Sequence, residues 1–247
     1  VTAPLFFVSA VQLAGATPGS TLLLDGAEGR HGATVLRIGV GEQVQLTDGV
    51  GHRVEAVVES VGAGTLHLRL RAITQEPQPD SRFVLVQALA KGDRDEQAIA
   101  AATELGVDEV VPWQAARSIV IWRGERAARS LRKWETVVLA ATKQSRRARV
   151  PKVSEPADQA AVIQRIEDAA LALVLHQEAT QPLAGVELPR SGEVLVIVGP
   201  EGGVTDEELG AFVAAGASAV LLGPNVLRSS SAGPAALAVL SAAGRWR

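Results

Sequence analysis

The sequence predicts an α/β protein in two parts, a small β-barrel followed by a larger domain with a mostly parallel sheet. Three observations carry this. Apolar residues recur at every second position before residue 75, short apolar runs alternate with helical patterns beyond Phe83, and a polar stretch with two prolines divides the two regimes. The parts are expected to span residues 1–75 and 80–247.

In the first part Val44 and Leu46, then Val54, Ala56 and Val58, then Leu66, Leu68 and Leu70 keep the two-residue period that turns one side of a strand toward a core. Asp48-Gly49 and Gly62-Ala63-Gly64 supply the turns between them. Short strands at this spacing suit a small barrel. Thr74-Gln75-Glu76-Pro77-Gln78-Pro79-Asp80 reads as the linker. Residues 83–89 then fit a buried parallel strand. Asp93 is placed to cap a helix that runs to Leu105, with Gly106 as its stop. Residues 107–112 and 118–121 read as short strands, and a long helix is expected from about Glu125 to Arg147. Residues 171–175 and 194–198 are again buried strands. Thr205 and Glu208 have the spacing of a capping box. Residues 219–222 form the last strand, and the closing helix is expected to start near Pro234.

The balance of 47% hydrophobic and 21% charged residues over 247 residues is that of a globular protein, and no apolar run reaches the length needed to span a bilayer. The N-terminus has no basic leader before its short apolar stretch, so it does not read as a signal peptide. With no cysteine there are no disulfides, thiolate metal sites or cysteine nucleophiles, which suits a cytoplasmic setting. The four histidines are dispersed without ligand spacing, so no metal is expected.

The net charge of −3 conceals an asymmetry. Between Arg117 and Lys152 eleven basic residues face only Glu125 and Glu135, so this stretch carries +9 and the remainder −12. Along the long helix Leu131, Trp134, Val138 and Ala141 share a face that should pack on the sheet, while Arg129, Arg132, Lys133, Lys143, Arg146 and Arg147 lie on the other side. A solvated cationic face is the bland interpretation. Acidic i,i+4 partners are nearly absent, which favours a polyanion as the occupant.

Two loops follow buried strands and are rich in Gly and Pro: Gly199-Pro200-Glu201-Gly202-Gly203 and Gly223-Pro224-Asn225-Val226-Leu227-Arg228. Glycines let a ligand approach backbone, and the carboxyl ends of parallel strands are where such sheets bind ligands. Neither loop is a Rossmann fingerprint or a P-loop, and no GxSxG elbow is present.

Together with Val86-Gln87-Ala88-Leu89-Ala90-Lys91-Gly92-Asp93-Arg94, Ala102-Thr103-Glu104-Leu105-Gly106-Val107, Lys143-Gln144-Ser145 and Leu175-His176, these motifs make the chain resemble the SPOUT methyltransferases. Specifically, it resembles the bacterial family that methylates N3 of a uridine in small-subunit (16S) ribosomal RNA (RsmE). The resemblance covers nearly the whole chain. It implies an RNA-binding PUA-like β-barrel, a knotted SPOUT-type parallel-sheet domain, a homodimer, and S-adenosylmethionine as cofactor. Carried over residue by residue, it implies a cofactor pocket of Leu175, Gly199, Gly202, Leu222, Gly223 and Leu227. RNA contacts are expected from Arg117, Lys143, Gln144 and Arg146, and in the barrel from His31 and Arg37. Arg228, and second Arg94, are the candidates for stabilising charge on the uracil. One departure stands out: Ser229-Ser230-Ser231 replaces the family's common Thr-Glu-Thr, so a central carboxylate is missing. A non-catalytic RNA-binding or ribosome-assembly module, and an α/β enzyme acting on a free nucleotide, are the alternatives.

Overall fold

A computed structural model describes residues 3–246. They form two compact units, one of the described residues up to Gln78 together with Thr142–Val150, the other of Pro79–Ala141 and the described residues from Pro151 onward.

The first unit contains β1 (Leu5–Phe7), α1 (Ala10–Leu13), β2 (Thr21–Leu24), α2 (Gly26–Arg30), a π-helical turn at His31–Val35, β3 (Gln43–Thr47), β4 (His52–Gly62) and β5 (Thr65–Gln75). The strands make one mixed, PUA-like sheet in the order β1-β3-β4-β5-β2, with β1 parallel to β3 and the other pairs antiparallel. The two-residue period is realised: Val44, Leu46, Val54, Ala56, Val58, Leu66, Leu68 and Leu70 are all buried in one core with Phe6 and Leu24. Register shifts at Glu55/Ala56 and Val58/Ser60 bend the long β4–β5 hairpin around it. The π-helical turn closes on this core at Gly32, where a methyl group would lie 2.8 Å from Leu66 Cδ1 and 3.2 Å from Phe6 Cζ.

Residues 142–150 complete the unit. The Thr47 hydroxyl and the Gly51 N–H both donate to the Ala148 carbonyl, at 2.9 and 3.0 Å, and the Val150 N–H donates to Gly49 at 2.9 Å. The Arg149 guanidinium donates to the Glu76 carbonyl. The turn at Asp48-Gly49 thereby gains a backbone partner about 100 residues away in the chain.

The second unit contains β6 (Ser81–Ala88), α3 (Arg94–Glu104), β7 (Glu109–Trp113), most of α4 (Gly124–Ser145), β8 (Lys152–Val153), α5 (Gln159–Asp168), β9 (Leu171–Leu175), β10 (Gln181–Pro182), β11 (Gly192–Val198), α6 (Asp206–Ala214), β12 (Ser218–Leu221) and α7 (Ser229–Gly244). Its seven strands run in the order β10-β12-β9-β11-β6-β7-β8 and every pair is parallel. A parallel sheet is covered on both faces, which is why β6, β7 and β11 each contain a continuous apolar run, at residues 83–86, 110–113 and 194–198. Val84, Val86, Val111, Trp113, Leu195 and Ile197 join one core with Val162 and Ile166 of α5 and Phe212 of α6. α7 packs against α3, β11 and β6.

Three expectations need correction. Residues 118–121 are not a strand. Ser118 closes a turn onto the Ala115 carbonyl at 3.0 Å, and the Gln114 amide ties the loop by donating to Val120 O at 3.0 Å and accepting from Trp122 N–H at 3.3 Å. Ile119 and Ile121 are exposed, so their β-branched character expresses propensity without a sheet to join. The closing helix starts at Ser229 rather than near Pro234. Gly233 and Pro234 are buried, and a methyl on Gly233 would sit 2.9 Å from Leu85 Cδ1, so packing on the sheet outweighs the hydrogen bond that Pro234 cannot donate. Asp93 does occupy the N-cap of α3, but its side chain makes no capping bond.

On α4, Trp134, Val138 and Ala141 are buried, and the Trp134 ring meets Trp122 edge-on with centroids 5.4 Å apart. Arg126, Arg129 and Arg132 are exposed. Lys133 finds a partner in Glu96 of α3 at 2.5 Å. At the amino ends of the strands Glu109, 2% exposed, accepts from Arg165 at 2.6 Å and Ser154 Oγ at 2.5 Å and faces Arg82 and Lys152, each at 3.4 Å.

Candidate active site

At the opposite, carboxyl ends of β9, β11 and β12 the second unit holds a cavity of about 620 Å³. Its walls are the segments that follow those strands, closed by Arg94 at the start of α3 and Arg117 from the loop after β7. Strand ends leave backbone groups unpaired, and a cavity of this size suits a small ligand held by a few polar contacts.

The loop after β11 is a tight turn in which Gly203, at φ +75°, donates its N–H to the Pro200 carbonyl at 2.8 Å. Side chains are excluded at two places. A methyl on Gly199 would meet Val204 N at 3.0 Å and Val204 Cγ2 at 2.8 Å, and one on Gly202 would meet Arg117 Cβ at 3.1 Å. Gly223, on the facing loop, has open space where its Cβ would be, so the chain leaves room at this wall.

The capping box at the start of α6 does more than end a helix. The Thr205 hydroxyl accepts from Glu208 N–H at 3.1 Å, and Glu208 Oε2 accepts from Thr205 N–H at 3.0 Å. Glu208 is 2% exposed, and its other oxygen accepts the Ala116 N–H at 2.7 Å. This pins the loop carrying Arg117, whose Nη1 donates to the Gly202 carbonyl at 2.9 Å. On the other side of the same turn, Glu201 Oε1 accepts from Arg94 Nη1 at 2.9 Å and from Lys91 N–H at 3.2 Å. Burial pushes the Glu201 carboxyl upward, but backbone N–H groups and the Arg94 guanidinium outweigh it and hold its pKa below the ordinary carboxylate range. In the first turn of α3, burial pushes the neighbouring Asp95 up to about 6.

All six residues expected to hold a cofactor, Leu175, Gly199, Gly202, Leu222, Gly223 and Leu227, line this one cavity, as do Arg94, Arg117 and Arg228. Arg228 is exposed and its guanidinium has no hydrogen bond or ion pair among the described residues. Ser229 is buried on the cavity wall, with an Oγ lacking a hydrogen-bond partner. The remaining RNA candidates belong to the first unit. There Lys143 Nζ pairs with Glu28 at 2.8 Å and stands 5.6 Å from the Phe6 ring centroid, and the His31 ring meets the same Phe6 edge-on. Gln144 and Arg37 are exposed. Arg37 and Arg146 are the two non-glycine residues with left-handed backbone among the described residues, at φ +54° and +56°.

Sequence reasoning missed Glu201, Glu178, Asp206 and Asn225 as wall residues. Glu201 lay in plain view inside a glycine motif, yet its partners Lys91 and Arg94 are more than 100 residues away and no spacing rule links them. Among the described residues no cluster of three or more His, Cys, Asp or Glu could hold a metal, and no helix is long and apolar enough to cross a membrane.

Comparison with known proteins agrees with this architecture. Residues 76–241 match the model of an RNA methyltransferase domain, and residues 24–71 that of an RNA methyltransferase PUA domain. The chain is 42% identical over its whole length to the ribosomal RNA small subunit methyltransferase E of Mycobacterium bovis, covering 94% of that protein. It is 28% identical to the Bacillus subtilis protein of the same name, with 90% of each covered. The crystal structure of a ribosomal RNA small subunit methyltransferase E from Neisseria gonorrhoeae bound to S-adenosyl methionine is similar at a TM-score of 0.83 and 28% identity, covering 98% of both chains. A parallel sheet ending in a glycine-walled cavity, a PUA-like unit and identity along the full length have one common explanation: the chain belongs to the RNA methyltransferase family of the ribosomal RNA small subunit methyltransferase E proteins.

Proposed function

We propose that the protein transfers a methyl group from S-adenosylmethionine to N3 of a specific uridine in 16S ribosomal RNA. In this reading it works in the cytoplasm as a homodimer, with the chain of the second unit threaded in a trefoil knot. The observation that carries the reading is the convergence of the loops after β9, β11 and β12 on one cavity with three arginines, Arg94, Arg117 and Arg228, on its wall. The knot is supported by the path of the chain after β12, which lies beyond β9, back to α7 against β11 and β6.

The cavity suits the cofactor. Leu175, Leu222 and Leu227 offer an apolar wall, and Gly199, Gly202 and Gly223 expose backbone. Glu178 and Asp206 add carboxylates, which match a ligand carrying ammonium and sulfonium charge. Bound there, S-adenosylmethionine would supply an electrophilic methyl group. The protein must then favour the uracil with its N3 proton removed and hold that nitrogen in line. Arg228, with a guanidinium that has no partner among the described residues, is placed to stabilise charge on the uracil oxygens. Proximity and orientation contribute much of the remaining acceleration. Ser230 stands where the resembling family carries a carboxylate, which is what favours the second reading, a non-catalytic RNA-binding module.

Transfer of labelled methyl to small ribosomal subunits lacking the modification, followed by mapping of the labelled nucleotide, tests the proposal. Label on N3 of one uridine is expected. Cofactor binding without label would favour the non-catalytic module.

We propose RNA contacts on each unit by itself: Arg117 on the second, and His31, Arg37, Lys143, Gln144 and Arg146 on the first. Arg146 offers a specific test. The Arg147 N–H donates to Thr142 O at 3.1 Å and the Arg146 N–H to Lys143 O at 3.2 Å, so α4 ends in a Schellman motif with arginine where glycine is usual. An Arg146→Gly variant is expected to be more stable by up to about 1 kcal/mol, since the left-handed backbone no longer carries a Cβ. The same variant should bind RNA more weakly, with the log–log salt slope smaller by about 0.7–0.9. Thermal melts and a salt titration of RNA binding check both signs.

A further inference from the structure

We infer that Glu201 is a positioning residue that sets Arg94 against the active-site cavity, giving the glycine turn a role in orienting the methyl acceptor as well as in seating the cofactor. The inference rests on the methyl-transfer reading above and deepens it.

The geometry is specific. One carboxylate oxygen, Glu201 Oε1, collects two donors from the loop after β6, the Lys91 N–H at 3.2 Å and Arg94 Nη1 at 2.9 Å. Gly92, at φ +72°, doubles the loop back so that a backbone amide and a guanidinium three residues apart reach the same oxygen. The Lys91 bond fixes the loop, and the Arg94 bond fixes the side chain. Arg94 commits only Nη1–H to this contact, and its other N–H groups make no hydrogen bond among the described residues. A guanidinium carries five N–H donors in a rigid fork, so anchoring one aims the others.

Stability alone is a poor explanation for the pair. The two side chains are 46% and 28% exposed, and ion pairs of that exposure contribute little. Their position is what matters, since both line the cavity. Arg117 provides the contrast within the same turn. It is held by the neutral carbonyl of Gly202, so removing the charge of Glu201 acts on Arg94 and leaves the Arg117 anchor in place. A carboxylate holds the arginine by a charge-assisted hydrogen bond, stronger than one to a neutral carbonyl, and leaves the remaining N–H groups for an acceptor that becomes anionic as the N3 proton departs.

The test is a double-mutant cycle on the full-length protein with small ribosomal subunits as substrate. Glu201→Gln keeps the shape and the acceptor for Lys91 N–H but loses the charge. It is expected to lower kcat about tenfold, the scale of one charge-assisted hydrogen bond discounted for exposure. The dissociation constant of S-adenosylmethionine, measured by calorimetry, and the thermal midpoint should stay unchanged. Arg94→Ala should lose at least as much, and Arg94→Ala/Glu201→Gln should be no worse than Arg94→Ala, because a positioning residue has nothing left to position. Glu201→Asp, which restores the charge, should recover part of the loss. Losses that multiply in the double variant would overturn the inference, as would cofactor binding that weakens in step with turnover, which would make Glu201 a cofactor-seat residue. If the wild-type protein transfers no methyl group, both the methyl-transfer reading and this one fall. An active wild type with multiplicative losses removes only the role of Glu201.

Discussion

Replacing Glu109 by alanine is expected to destabilise the second unit by about 1–3 kcal/mol, because buried charge-assisted hydrogen bonds are lost while the cations left behind are 24–68% exposed and can be hydrated. The side chain is 2% exposed at the amino end of β7, where Arg165, Arg82, Lys152 and the Ser154 hydroxyl converge on it. Without it these cations are left around one remaining carboxylate, Glu193, which reaches Arg82 directly and Arg165 at 3.7 Å. Glu109→Gln should cost less, since an amide still accepts hydrogen bonds. The effect has a pH signature. Burial pushes the Glu109 carboxyl up, but the hydrogen bonds from Ser154 and Arg165 and the charges of Arg165 and Lys152 pull it down further, leaving its pKa below the ordinary value. A carboxyl with a depressed folded-state pKa contributes stability above its unfolded pKa, about 4.3 for Glu, and loses it as pH falls through the lower folded value. Urea denaturation of the wild type and Glu109→Gln should therefore differ most at neutral pH and converge on acidification below about pH 4. A gap that stays constant down to pH 3 would show that the charge of Glu109 is not what stabilises the fold.

The elements that could be read from the chain were those whose pattern repeats within them. Residues 44–70 show their strands because each second residue is apolar and one face of that sheet is buried. The capping box at Thr205 shows itself because donor and acceptor are three residues apart. Strands as short as β1, β8 and β10, three residues or fewer, contain no full period to detect, and residues 118–121 have strand-like composition without a neighbouring strand. The return of residues 142–150 to the first unit depends on bonds to Thr47, Gly49 and Gly51, which no local rule connects. The same division runs through the site. Its loops were legible because Gly and Pro gather after buried strands, where parallel sheets bind ligands, whereas the Glu201–Arg94 contact joins two loops through tertiary structure alone. The position of Pro234 misled for a related reason: local preference places a proline in the first turn of a helix, whereas packing of Gly233 against Leu85 lets this one begin earlier, at Ser229.

Arg228→Ala is expected to lower kcat by about 10²–10³, the range observed when a donor to a developing oxyanion is removed. The local structure gives an independent reason to assign Arg228 to function. It occupies the N-cap of α7, where its backbone is extended at φ −64° and ψ 151°, and its carbonyl accepts from Ser231 and Ala232 N–H, both at 2.9 Å. Its side chain makes no capping bond. Ser, Thr, Asp or Asn would cap those free N–H groups, and a cation beside a helix N-terminus is disfavoured by about 0.3–1 kcal/mol. Arginine is thus a poor choice for the helix, and its exposed guanidinium lies on the wall of the cavity. Stability and activity should consequently move apart: Arg228→Ala should melt no lower than the wild type while losing turnover, and Arg228→Asp should melt higher and be inactive. Arg228→Lys should recover only a part, because an ammonium lacks the planar fork that can address two oxygens. Binding of S-adenosylmethionine should persist in all three variants, separating loss of charge stabilisation from loss of the pocket. If Arg228→Ala keeps its turnover, the charge on the proposed acceptor is met elsewhere, and Arg94, already held on the wall by Glu201, becomes the residue to replace next.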